Sequence, residues 1–287
     1  MKKIIKGLGL LLPLLLALGI ELVASVFCVI VFYQAYLYHE LAGLSSLGDI
    51  TGAMDTVMAN MPMPSAGLMQ FMFYMIQLLW TVCFYFWYSE LRRKEGPTEP
   101  GIVTGIRHWS MKGAAVIFIL SVGYSITTGG LLELILPNFE DVMEKYNELM
   151  EIVVTGNPFM IFVSTVILAP LSEEFIFRGI IMKKAMKFSS FMVANILQAL
   201  LFGIFHLNIV QGIYAFGIGL GLGYVAYKFK SVWAAVLMHL FFNGLSFVIP
   251  VPAQQWILPV YVVVGIILIA VALRQLKFLG SGKGKTA

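Results

Sequence analysis

Apolar residues run almost unbroken through eight stretches of the chain, 4–36, 67–89, 113–136, 159–182, 190–206, 212–227, 232–249 and 256–273. Lengths of roughly 17 to 25 residues suit helices that cross a ~30 Å hydrocarbon core. Inside lipid every backbone N–H and C=O must be satisfied within the segment, so runs of this kind are helical. The pattern predicts an all-α fold, a polytopic membrane bundle of about eight transmembrane helices.

The interruptions are also readable. Between the third and fourth stretches, Glu140, Asp141, Glu144, Glu148 and Glu151 interleave with Val142, Met143, Leu149 and Ile152, the pattern of an amphipathic helix lying at an interface. Residues 40–66 carry Gly, Ser, Asp and a Met-Pro-Met-Pro run, the turn chemistry of an external connection. The start resembles a signal-peptide n-region, but its apolar stretch continues to about Tyr36 without a small-x-small cleavage site, which favours an uncleaved anchor. The glycine-rich run 280–285 is expected to be disordered. Three parts result: N-terminal membrane helices over 1–150, a core over 151–275, and a cytoplasmic tail over 276–287.

Composition agrees, with 60% hydrophobic and 12% charged residues, too few polar groups to cover a soluble globule. The net charge of +4 implies no nucleic-acid partner, since in a membrane protein the placement of Lys and Arg matters more than their sum. Of the 19 basic residues, all but Lys145 and Arg178 fall at alternate ends of the eight stretches. Cytoplasmic loops are the basic ones, so both termini are expected in the cytoplasm. Cys28 and Cys83 sit inside apolar runs and read as packing residues. Gly217, Gly219, Gly221 and Gly223 make two overlapping Gly-x-x-x-Gly pairs, which allow close helix approach.

Ionisable side chains cost ~2.5 to 3.5 kcal/mol each at the centre of a membrane helix, so those retained there are functional candidates. The run 169–179 places Glu173, Glu174 and Arg178 deep in an apolar stretch. Glu174 and Arg178 are four apart and share a helix face, whereas Glu173 is turned ~100° away and is free to act. Pro170 cannot donate to the carbonyl of Val166 and should kink the helix one turn before the pair. Phe202 and His206, and again His239 and Asn243, are each four apart on their own helices. Together these groups match the needs of amide hydrolysis: a base for water, an orienting group, and donors where an oxyanion forms. Glu21 lies mid-span in the first stretch with no motif partner and receives no role.

These residues carry a resemblance. The motifs Glu-Glu-x-x-x-Arg (Glu173, Glu174, Arg178), Phe-x-x-x-His (Phe202, His206) and His-x-x-x-Asn (His239, Asn243) occur in order. They resemble those of the intramembrane CAAX-protease and bacteriocin-processing family, which includes the type II CAAX prenyl endopeptidases and the abortive-infection proteins. The resemblance covers roughly 159–249 and implies an intramembrane endopeptidase of glutamic type, earlier labelled a metalloprotease. It implies that Glu173 and His206 activate water, that His239 and Asn243 stabilise the oxyanion, and that Glu174 and Arg178 form a clamp orienting Glu173. The implied partner is a membrane-embedded or lipidated protein, of which a prenylated CAAX tail is one kind, in what is expected to be a prokaryotic plasma membrane.

No cofactor is expected. The rival within the same chemistry is a zinc enzyme with Glu173, His206 and His239 as ligands, although Asn243 suits an oxyanion better than zinc. A proton-coupled transporter and a non-catalytic immunity scaffold are the readings of other classes. One geometric difficulty attends all of them: His206 lies ~28 Å along its helix from Lys187, so that helix must tilt or start deeper for His206 to meet Glu173.

Overall fold

A computed structural model describes residues 2–42, 47–95 and 110–279 of the chain. These residues form ten helices and one 3-10 turn, with no strand among them. The helices are α1 (Lys2–Leu41), α2 (Leu47–Ala59), α3 (Ala66–Glu95), α4 (Met111–Ile135), α5 (Glu140–Val154), α6 (Pro158–Met186), α7 (Phe191–Phe205), α8 (Ile209–Phe229), α9 (Val232–Leu245) and α10 (Leu258–Leu279). The glycine-rich run 280–285, Arg107, Lys283 and Lys285 lie outside the described residues, as do the side chains of Lys2, Lys3 and Lys6.

The protein is a polytopic helical membrane protein, and the expected eight spans divide unevenly. Six described helices, α1, α3, α4, α6, α8 and α10, are long and apolar enough to cross a bilayer. The other two expected spans are α7, with 15 residues, and α9, with 14. At 1.5 Å per residue they reach about 22 Å, short of the ~30 Å core. Each stops where polar groups begin to serve the candidate site, at His206 and just beyond Asn243. Two expectations about connections also change. The 40–66 region holds α2 ahead of the Met-Pro-Met-Pro turn, because 47–59 carries no proline to stop a helix. The acidic amphipathic segment is α5, as expected.

Contacts define the two ends of the bundle. At one end, Lys184 lies 4.8 Å from the Trp87 ring centroid, Phe191 stacks on Tyr227 at 3.9 Å, and Lys228 Nζ donates to the Lys277 carbonyl at 3.3 Å. Phe229 packs against Gly113. These contacts bring together the C-terminal ends of α3, α6, α8 and α10 and the N-terminal ends of α4 and α7, which carry the described basic clusters. At the other end, the Asn157 N–H donates to Gln70 Oε1 at 2.7 Å, Phe162 meets Phe247 at 6.0 Å, and the Tyr261 hydroxyl donates to the Pro250 carbonyl at 3.0 Å. Segregation of Lys and Arg along the sequence therefore survives as segregation in space.

α6 runs through the middle of this bundle. Residues 175–182 are buried around the whole helix circumference, so no face is left for lipid. Its backbone is not uniformly α-helical: π-helical turns occupy Val163–Leu168 and Phe175–Met182, on either side of an α-helical Ala169–Glu174. Pro170, where a kink was expected, stands at the second position of the α-helical stretch, directly after a change of hydrogen-bond register, a form of irregularity frequent at functional sites.

Glycines set the spacing of two helix pairs. Gly219 faces Ala199 and Phe202 of α7, with room for a Cβ only 3.2 and 3.3 Å from them, and Gly221 abuts the Tyr124 hydroxyl of α4. The two small-residue stripes serve different neighbours, and nothing lies within 4 Å of a Cβ built at Gly217. Along α4 and α10, a Cβ on Gly123 would lie 2.9 Å from the Ile269 backbone nitrogen and 3.0 Å from the Gly265 carbonyl oxygen. Backbone atoms cannot yield as a side chain can, so Gly123→Leu should cost about 1 to 3 kcal/mol, read as a shifted midpoint in reversible SDS unfolding; Gly217→Ala should leave the midpoint unchanged.

Candidate active site

All four residues expected to carry chemistry, Glu173, His206, His239 and Asn243, line one cavity of about 390 Å³. They arrive from three helices, and each is held there by a local device.

The α6 contribution depends on the π turn. In that register the Ala169 N–H reaches the Ser164 carbonyl, five residues back, so the donor facing the Thr165 carbonyl would be residue 170. Residue 170 is proline and has no N–H. The carbonyl of Thr165 is taken instead by Asn243 of α9, whose Nδ2 donates to it at 2.8 Å. One hydrogen of the Asn243 amide is committed to this bond and sets the side chain's orientation; the second remains for the cavity.

Further along α6, Glu174 and Arg178 pair as expected, Nη1 to Oε1 at 2.8 Å, and both side chains are 0% exposed. The same Glu174 Oε1 also accepts from His239 Nδ1 at 2.8 Å. The clamp therefore grips His239, whereas the resemblance had assigned its orienting action to Glu173. Arg178 is held on its other side by Nη2 donating to the Gly219 carbonyl at 3.2 Å, and its guanidinium stands 4.6 Å from the Phe202 ring centroid. Glu173, one position back, turns the other way and keeps 13% of its side chain open; its Oε2 lies 3.7 Å from His239 Nε2.

His206 reaches the cavity because α7 stops there. Its Nδ1 is 2.8 Å from the Phe202 carbonyl, an acceptor only, so Nδ1 is the donor, and in the neutral ring the lone pair sits on Nε2. Leu207 follows at φ +53°, a left-handed conformation that costs a non-glycine residue of order 1 kcal/mol and reverses the chain. Asn208 then caps α8 by accepting from the Gln211 N–H at 3.0 Å. Phe202 packs edge-on against both imidazoles, 4.8 Å from His206 and 5.8 Å from His239, a wider part than the contact with His206 alone that its spacing suggests.

Other cavity residues escaped the sequence reading. Gln77 of α3 and Gln211 and Tyr214 of α8 line the same space, as does Tyr146 of α5. A polar residue inside an apolar run was the available signal for Gln77. Asn195 and Gln198, three apart on α7, had the same signal and serve packing: Gln198 Nε2 donates to the Gly219 carbonyl at 2.9 Å and Asn195 Nδ2 to that of Leu220 at 3.1 Å. Glu21 is absent from the cavity wall.

For a metal the fit is poor. Among the described residues no group of three or more His, Cys, Asp or Glu side chains is placed to hold an ion. His239 turns Nδ1 to Glu174 and His206 turns Nδ1 to a carbonyl, which leaves Nε2 the uncommitted nitrogen of each ring, so the poor fit rests on the missing third ligand and not on the histidines.

Against known proteins, residues 155–245 match the family model described as Type II CAAX prenyl endopeptidase Rce1-like. The segment 155–245 is thus similar to Rce1-like proteins. It contains every residue of the three motifs and the whole of α7 and α8. The chain is also similar, 29% identical over 91 residues, to a Bacillus subtilis (strain 168) protein named "Putative membrane peptidase YdiL", covering 32% of this chain and 37% of that protein. The chain thus spans little more than a third of that relative's length. No solved structure matches.

The Glu174–Arg178 pair gives a stability test. Arg178→Met leaves a carboxylate in a dry interior without its cation and should cost about 3 to 5 kcal/mol. Glu174→Leu combined with Arg178→Met should recover part of the loss, as thermal unfolding of the two purified variants in detergent will measure.

Proposed function

We propose that the Rce1-like domain makes this protein an intramembrane endopeptidase that hydrolyses a peptide bond of a membrane-associated protein. The observation that carries the reading is the meeting of Glu173, His206, His239 and Asn243 around one cavity, with separate devices holding each of the last three.

The chemistry follows from which atoms are free. Glu173 and the Nε2 lone pair of His206 remove a proton from water, whose oxygen attacks the peptide carbonyl carbon. The oxyanion that forms is met by the uncommitted N–H of Asn243 and by Nε2–H of His239. Because Nδ1 of His239 already donates to Glu174, a donor at Nε2 means the imidazolium, and with it Glu173, Glu174, Arg178 and His239 sum to zero charge. The C–N bond breaks as the proton taken from water passes to the departing nitrogen. Glu174 and Arg178 act through His239 as positioning residues. Enclosure of the site removes competing water and strengthens each of these interactions.

We read the reaction as metal-free, supported by the poor donor set and by the commitment of Asn243 to Thr165. A zinc form, with Glu173, His206 and His239 as ligands, would be stopped by chelation. The transporter and scaffold readings share the membrane bundle but leave the convergence of hydrolytic groups without a use.

Glu173→Gln and His206→Ala should each abolish cleavage of a fluorogenic peptide by the purified protein, and Asn243→Ala should lower kcat by about 10²- to 10³-fold with full activity retained in a chelator. Cleavage unaffected by Glu173→Gln would overturn the mechanism, and loss on chelation would favour zinc.

A further inference from the structure

The cavity is not placed evenly between the two ends of the bundle. Its wall on α3 begins at Phe73 and ends at Gln77; on α4 it is formed by residues 125–132; on α8 by residues 211–218; and on α9 it continues into Ser246, Ile249 and Val251 of the following connection. Each of these segments lies at mid-helix or in the half away from the basic clusters. Tyr146 adds a side chain from α5, the helix that connects the far ends of α4 and α6 and carries five carboxylates against the single cation Lys145. No cavity residue is Lys or Arg, and none comes from the ends that carry Arg92, Lys184, Lys228 or Lys277.

Basic clusters next to membrane helices stay in the cytoplasm. Two short helices deepen the asymmetry, since α7 ends at Phe205 and α9 at Leu245, both on the side to which the cavity extends. We propose that the catalytic cavity opens to the non-cytoplasmic face of the membrane. Its substrate class is then a peptide segment of an exported or membrane-anchored protein, presented from that side past the acidic α5. The substrate clause rests on the peptidase reading above; the direction of opening does not.

Sidedness can be read without activity. In a Cys28→Ala, Cys83→Ala background, Ser246→Cys at the cavity rim and Lys187→Cys at the basic end are each exposed positions. Treatment of intact cells with a membrane-impermeant maleimide should label Ser246→Cys at least about tenfold more than Lys187→Cys, the pattern required if basic ends are cytoplasmic. Equal labelling, or labelling of Lys187→Cys alone, overturns the proposal. Cells expressing the unsubstituted protein yield right-side-out and inside-out vesicles, to which an impermeant cationic fluorogenic peptide is added. Cleavage only in right-side-out vesicles, lost with Glu173→Gln, supports the substrate class, and cleavage only in inside-out vesicles overturns it. A peptide left intact even after detergent is added counts against the peptidase reading, while the labelling result stands by itself.

Discussion

One carboxylate oxygen organises the centre of this protein. Glu174 Oε1 accepts hydrogen bonds from Arg178 and from His239, both at 2.8 Å, in surroundings with no exposure to solvent. A charge buried in that way is tolerable only if it is paired and hydrogen-bonded, so α6 and α9 are held at the one separation that lets both donors arrive. Arg178 extends the constraint to α8 through the Gly219 carbonyl and to α7 through the Phe202 ring. Four helices are thereby fixed around a point, and the neighbouring carboxylate of Glu173 is left with an open side.

The division of labour between Glu173 and Glu174 is a consequence of helix geometry before it is one of chemistry. Successive residues point ~100° apart, so a Glu-Glu pair on a buried helix places one carboxylate among cations and the other in whatever lies to the side. Here the side is a cavity bordered by His206, with its proton fixed on Nδ1, and by Asn243, with one hydrogen already spent. Reactive orientation is set by groups that do not themselves border the reacting atoms. The match of 155–245 to Rce1-like proteins covers this whole assembly, while α1, α3 and α4 pack against it and α10 packs on α4.

The sequence carried the membrane character, the helical class, and every residue of the three motifs, because burying charge in lipid is so costly that its exceptions are conspicuous. Convergence of the motifs was less visible. Reckoned from Lys187 along one straight helix, His206 lay too far out to meet Glu173; the chain instead breaks at 187–190 and α7 begins only at Phe191. The bond from Glu174 to His239 was invisible for a similar reason: i, i+4 spacing links Glu174 to Arg178 but is silent about a histidine 65 residues away. The helix α2 was hidden by the glycines and prolines flanking it, and Gly217 shows that a repeated spacing need not mean a repeated contact.

Pro170 shows how far the effect of one missing hydrogen can travel. Proline in a helix is usually counted as damage, a carbonyl left over and a bend to be tolerated. In this bundle the unclaimed carbonyl on α6 serves as an address, recognised by a side-chain amide from α9. A residue with an N–H at position 170 would compete for that address from within its own helix, and Asn243 would lose its anchor without any change in α9. The imino acid and the amide thus form one functional unit split across the sequence, in which the residue that touches no substrate determines where the other one points.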